Sequence, residues 1–303
     1  MPAITSANVA QAIVKMVAAD ALPALLGNLI MGNLVSRNYE PVLGQAGDTV
    51  NVPIPPTLTA NNIAEGGTVT TQNPSLGNAQ IVLNTHAEAT FLIPDVTKVL
   101  AVPDLVTTYM QPAVVAIAEK IERDLLNLYA GFTANSPVGT AGAPLTEAVI
   151  DAAETALFSA KTPPGMNKYL VVSADSYSAL RQIARFSEWN TTGEAGVNAL
   201  IQGSVGRIKD FFIFRSQYVA QTGSGPVTTH NLGFARDAIG LVIRRLPQPL
   251  PGTGAIAEYA ELGNFGMRVV MSYQPSTLAQ QFTVDVLYGA AILRNAFGVQ
   301  MNS

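Results

Sequence analysis

Residues 81–93 read IVLNTHAEATFLI. The fold turns on whether this run is a strand and on what its two sides touch. Ile81, Leu83, Ala87, Ala89, Phe91 and Ile93 share one parity, and Asn84, His86, Glu88 and Thr90 share the other. Successive side chains of a strand point to opposite faces, so this alternation predicts one apolar and one polar side. A single strand over this run reaches about 40 Å at about 3.3 Å per residue. A compact chain of this length has a radius of gyration of roughly 19 Å, so such a strand projects.

Working upstream, GDTVNVPIP (47–55) alternates Val50, Val52 and Ile54 against Thr49, Asn51 and Pro53. Proline cannot donate to a sheet ladder, which places this strand at an edge. Between the two runs lies TLTANNIAEGGTVTTQNPSLGNAQ (57–80), with turn chemistry at Gly66-Gly67 and Asn73-Pro74. The pattern predicts an extended β-hairpin over residues 46–93. No Lys or Arg occurs between Arg37 and Lys98, and Glu65 is the only formally charged side chain between Asp48 and Glu88. A two-stranded ribbon is marginal in water and its bare apolar side invites association. A ribbon so poor in charge is therefore expected to meet protein on both sides. Its polar residues Asn61, Asn62, Glu65, Thr68 and Thr70, with His86 and Glu88, are the candidate intersubunit contacts.

His86 and Glu88 also invite a metal or acid/base reading, because alternate strand residues project the same way. A zinc site takes three or four protein ligands, and the only other histidine, His230, is remote in sequence. A polar strand face is the plainer reading of the pair. GTGAIA (252–257) follows the proline-rich RRLPQPLP and lacks the strand that a dinucleotide turn requires, so it reads as a loop. No phosphate-binding loop, nucleophile elbow or cofactor motif stands out.

Downstream, LVTTYMQPAVVAIAEKIERDLLNLYAGF (105–132) sets Met110, Val114, Ile117, Ile121, Leu125 and Leu128 three or four apart. This predicts a spine helix of roughly 30 Å. Pro112 should kink it or fall in its first turn, and Gly131 should stop it. Glu119 with Arg123, and Lys120 with Asp124, are spaced to pair along its outer side. An earlier amphipathic helix is expected from Ser6 through Val9, Ile13, Met16 and Val17. After the spine, TEAVIDAAETALFSA and ADSYSALRQIARF read as helices, and KYLVVS, KDFFIFRS, AIGLVIRR, MRVVMSY and FTVDVLYGAAILR as strands. That order predicts an α+β chain with a mixed sheet flanked by helices. Trp189 falls in SEWNTTGEAG as a loop anchor or a local core plug.

Composition narrows the function. Of 303 residues, 48% are hydrophobic and 13% charged, with a net charge of −4 and no cysteine. Ordinary soluble domains carry about 25% charged residues. No apolar run approaches the roughly 20 residues of a spanning helix, and the start lacks a signal-peptide pattern. The acidic balance argues against gripping nucleic acid, and Arg215, Arg236, Arg244 and Arg245 have no aromatic platform among them. Surface covered by other protein chains explains scarce charge best.

These parts in this order resemble the major capsid proteins of tailed bacteriophages with the Hong Kong-type shell fold. The resemblance is carried by GDTVNVPIP and LNTHAEATFLIPD at the hairpin, PPGMNKYLVVSADSYSAL and GSVGRIKDFFIFRSQYV beyond the spine, and HNLGFARDAIGLV and VDVLYGAAILRNAFGVQM near the end. It is similar in particular to the coat proteins of short-tailed phages. The resemblance implies an N-terminal arm (1–45), an extended loop (46–93), a peripheral domain with the spine helix (94–144), an axial domain (145–261) and strands returning to the peripheral domain (262–303). It further implies hexamers and pentamers of the chain itself in an icosahedral shell around double-stranded DNA, located in the virion and assembled in the host cytoplasm. A separate scaffolding protein, a portal protein and a decoration or cement protein are the implied partners, with no membrane. Some relatives crosslink through a lysine in the extended loop, and this loop has none. Two other readings stay open: a bacterial compartment of the same fold that houses cargo enzymes, and a metal-dependent hydrolase using His86, Glu88 and His230.

Overall fold

A computed structural model describes residues 29–39, 49–96, 105–183, 206–250, 253–262 and 265–303. The expected first helix, most of the expected arm and Trp189 lie outside the described residues. The described chain begins with the four-residue helix α1 (Met31–Leu34), followed by β1 (Thr49–Ile54), β2 (Gly77–Val82), β3 (Thr85–Pro94) and the long helix α2 (Leu105–Leu126). Then come β4 (Val138–Gly139), α3 (Glu147–Ser159), β5 (Lys168–Val172), α4 (Ala174–Gln182), β6 (Arg207–Ile208), β7 (Phe211–Arg215) and β8 (Gln221–Thr222). The last strands are β9 (Thr228–Ala235), β10 (Ile239–Arg244), β11 (Ile256–Leu262), β12 (Phe265–Gln274), β13 (Ala279–Ile292) and β14 (Gly298–Asn302). No described helix is long and apolar enough to cross a membrane.

The spine helix α2 forms because its apolar residues recur at helical spacing. Met110, Val114, Ile117, Ile121 and Leu125 are all buried, joined by Ala118 and Leu126 on an adjoining stripe. At 22 residues it spans about 33 Å. Pro112 lies inside the helix rather than in its first turn. The α-helix ends at Leu126 and tightens into a 3₁₀ turn over Asn127–Gly131, where the glycine leaves room for Ile292. Lys120 pairs with Asp124 at 3.1 Å. The expected partners Glu119 and Arg123 instead both turn to Tyr218, one bonding its hydroxyl and the other lying 4.9 Å from its ring centre.

One five-stranded sheet runs in the order β10-β13-β12-β11, with β3 along the other edge of β13. Its inner face, including Ala87, Ile93, Phe282, Val284, Val286 and Val269, packs with the spine in one core cluster. The seven-stranded sheet runs β4-β14-β9-β5-β7-β6, with β8 on β9. It is mixed: β5 with β7 and β14 with β4 are parallel, while β5 with β9 is antiparallel. Every residue of β5 is buried, because α3 and α4 cover one face through Ile150, Leu157, Tyr177 and Leu180. Tyr169 and Val171 join the spine's cluster on the other. A strand buried on both faces reads as a continuous apolar run, as KYLVV does. Ser173 caps α4 by accepting from the Ser176 N–H.

Two strand expectations are corrected. The run 81–93 is two strands, broken at Leu83-Asn84: β2 pairs with β1, whereas β3 pairs with β13 from Ala279↔Pro94 to Tyr288↔Thr85. The parity never changes across the break, so the sequence shows no interruption, yet the burial partner does change. Ile81 and Leu83 pack on Val242 and Leu293, while Ala87 and Ile93 face the spine's cluster. The second correction concerns the grouping of strands. β12 and β13 lie with β3, but the terminal β14 pairs with β9 and β4 in the seven-stranded sheet, while β10 and β11, expected among the axial strands, lie in the five-stranded one.

Candidate intersubunit surface

The ribbon of β1 and β2 is a six-pair antiparallel ladder from Thr49↔Val82 to Ile54↔Gly77. Its inner side, Val50, Val52, Ile81 and Leu83, forms a small core with Val242 and Leu293. The seat is close: a Cβ at Gly289 would stand 2.3 Å from the Val82 carbonyl oxygen. Pro53 sits on β1, which among the described residues has no second partner, as a strand without an N–H requires. On the outer side, Asn51 Oδ1 accepts from Asn78 and Gln80 at 3.0 and 3.1 Å.

Beyond the ladder the chain runs out and back without regular structure, and every residue from 57 to 78 is exposed. Gln72 holds the two arms together: its Oε1 accepts from the Thr59 N–H at 3.0 Å and its amide donates back to the Thr59 carbonyl. The tip turns at Ala64–Gly67, where Gly67 N–H donates to the Ala64 carbonyl and Gly66 has φ +77. A left-handed φ at that position is what glycine supplies without strain. Leu58, Ile63, Val69 and Leu76 stand bare along the loop, at 54 to 75% exposure.

The candidate contacts separate into two groups. Asn61, Asn62, Glu65, Thr68 and Thr70 are together on the exposed loop. His86 and Glu88 lie instead on the outer face of the five-stranded sheet, on β3. His86 Nε2 is 3.1 Å from Oδ2 of Asp285, and Glu88 accepts from the Thr90 hydroxyl. Asp285 is buried and is also gripped by Arg268, whose Nε donates to Oδ1 at 3.0 Å and whose Nη2 donates to Oδ2. That bond raises the Arg268 pKa above its ordinary value. A forked Arg–carboxylate pair of this kind is a strong, directional tie. His230 is elsewhere, in the seven-stranded sheet, stacked 4.2 Å from the Tyr129 ring and bonded to Thr222 and Asn302. The three residues of the hydrolase reading are thus held in separate structural ties. Among the described residues no group of three His, Asp or Glu side chains could hold a metal.

Two charged features escaped the sequence reading. Asp285 interrupts an apolar strand, and its partner is a strand away at Arg268. Glu122, fully buried on the spine, accepts from the Met31 N–H at 2.8 Å and from the Ser216 hydroxyl at 3.1 Å. Burial pushes its carboxyl above the usual range, against the pull of those bonds and one from the Ile30 backbone. The signal for it was the stripe Ala118, Glu122, Leu126 at steps of four, apolar but for this residue.

A spine helix under one sheet, a second mixed sheet with helices, and a ribbon presented to the outside make up the arrangement that the resemblance to capsid proteins implied. The fold is similar to that of a solved chain of Mycobacterium phage Che8, with 17% identity and TM-score 0.65 over 90% of each chain. It is similar to a chain in the capsid of the Cyanophage P-SCSP1u, with 15% identity and TM-score 0.60 over 90% of this chain and 87% of that one. A chain of the virus-like particle from Pyrococcus furiosus shares 10% identity and TM-score 0.54, over 95% of this chain and 99% of that one. No curated protein matches the chain. Residues 95–299 match the phage capsid protein family, and the chain belongs to it.

Proposed function

We propose that this capsid protein is the major subunit of an icosahedral shell enclosing packaged double-stranded DNA, and that its ribbon lies across a neighbouring copy. The observation that carries the reading is the exposed loop 57–78, with Leu58, Ile63, Val69 and Leu76 bare and Glu65 its only formal charge. A soluble monomer gains nothing from such a loop. A lattice gains contact area, and obligate interfaces bury on the order of 2,000 Å² or more. Asn61, Asn62, Thr68 and Thr70 supply hydrogen bonds at that contact, Glu65 a charged one, and His86 and Glu88 offer a polar face beside it. Hexamers and pentamers of the chain, a scaffolding protein, a portal protein and a decoration or cement protein complete the assembly, formed in the host cytoplasm. A net charge of −4 suits a wall that encloses DNA without binding its sequence.

The test is excision of residues 57–74 with the ribbon closed by Asn-Gly, followed by electron microscopy. The reading expects folded capsomers or monomers without shells, and unaltered shells contradict it. The compartment reading shares the fold and differs in contents. The family match favours the phage shell, and nuclease-resistant DNA inside native particles separates the two.

A further inference from the structure

Among the described residues the spine helix carries one fully buried carboxylate, Glu122. Glu122 joins three parts of the chain that are distant in sequence: the backbone of Ile30 and Met31, its own helix, and Ser216 just after β7. Ser216 is itself fixed, since its N–H donates to the Val172 carbonyl at 3.0 Å and its hydroxyl accepts from the Tyr218 N–H at 3.3 Å. One side chain therefore ties residues 30–31 and the spine to the seven-stranded sheet. Beside it opens a cleft of about 340 Å³ lined by Ile30, Ala174, Arg215, Gln217 and Tyr218, large enough to admit water.

Among the described residues the tie has no counter-ion. The groups around Glu122 are Arg215 and Tyr218 on the segment after β7 and Glu119 and Arg123 on its own helix. α4 contributes only the uncharged Ala174 to the cleft, and residues 30–31 present backbone N–H groups. Arg215 lies 4.9 Å from the ring centre of Tyr177, and Arg123 is likewise engaged by Tyr218. Among the described residues no cation pairs with Glu122. A protonated carboxyl keeps both contacts, accepting from Met31 on one oxygen and donating to Ser216 Oγ from the other, with the serine hydroxyl proton turned toward the cleft. An ionised one is a buried charge held by hydrogen bonds alone, and water in an opened cleft solvates it better.

We propose that Glu122 is a proton-operated clasp at the joint between the spine helix and the seven-stranded sheet, closed when the carboxyl carries its proton and loosened when it ionises. The sign follows from burial, which raises the carboxyl above its usual range when the joint is closed. Closure is then fully supported below the ordinary carboxylate value and weakens as pH rises through the raised one. Within that window opening becomes up to about tenfold easier per pH unit, and it levels off above it.

The test is hydrogen exchange of the Ile30 and Met31 amides in the full chain, corrected for intrinsic exchange, from about pH 5 to about pH 8. It is read on the protomer, so it stands or falls independently of shell assembly. The wild type is expected to show the rise and the plateau. Glu122→Gln, which keeps an acceptor for Met31 and cannot ionise, is expected to be flat. A flat wild-type profile, or the same pH dependence in Glu122→Gln, overturns the proposal. Should Glu122→Gln fail to fold, Ser216→Ala decides. It removes a donor to the anion, so displacement of the rise to higher pH supports the clasp and an unchanged curve overturns it.

Discussion

At the scale of single residues, the seat of the ribbon is the most exposed to test. Gly289→Val places a Cβ where the Val82 carbonyl oxygen already stands, 2.3 Å away. Overpacking of that kind costs about 1–3 kcal/mol. The variant should fold with a lowered thermal midpoint and assemble poorly, as light scattering on refolded protein would show. Asp285→Ala leaves the half-buried Arg268 without the carboxylate that both fork atoms use, and a hydrogen bond to a charged group contributes about 1.5–3 kcal/mol. Denaturant titration measures that loss; a change within a few tenths would mean that the tie is idle. Glu65→Lys reverses the only formal charge of the exposed loop. It should slow assembly without changing protomer stability, and wild-type assembly kinetics would remove Glu65 from the contact. Of these residues the sequence made Glu65 legible, because isolation in a chargeless stretch is visible in one dimension. Asp285 and Glu122 were hidden because their meaning depends on partners 17 residues away in one case and 91 in the other.

At the scale of elements, periodicity recovered the spine helix, both helices on the seven-stranded sheet and the main strands. It could not recover which strands pair. Parity carries through Leu83-Asn84 unbroken, so the alternation that correctly gave the buried side of β3 also concealed its departure from the ribbon to β13. The same one-dimensional view missed that β14 crosses into the seven-stranded sheet, since a five-residue strand carries no address. The ribbon itself has a chemical consequence. With no lysine between residues 37 and 98, a lysine crosslink through this loop has no nucleophile. Boiled shells on a denaturing gel should give one band at the mass of a single chain; a ladder of covalent oligomers would show that another bond joins the subunits.

At the scale of the whole molecule, one core cluster runs from the spine through both sheets, and among the described residues the loop 57–78 stands exposed beyond it. That loop is where the missing charge of the composition shows, and the proposed contact through it predicts a salt response. Contacts made by a loop with one formal charge are screened little, so assembled shells should persist from about 0.1 M to about 1 M salt, where the Debye length falls from about 10 to about 3 Å. Light scattering follows this directly, and dissolution at high salt would point to ion pairs as the main glue. The most direct measurement of the central claim is a cryo-electron-microscopy reconstruction of particles formed by the full chain. The account predicts closed shells in which residues 57–76 are buried against an adjacent copy. A chain that stays solitary at high concentration, or a shell whose ribbon touches only its own protomer, would contradict it.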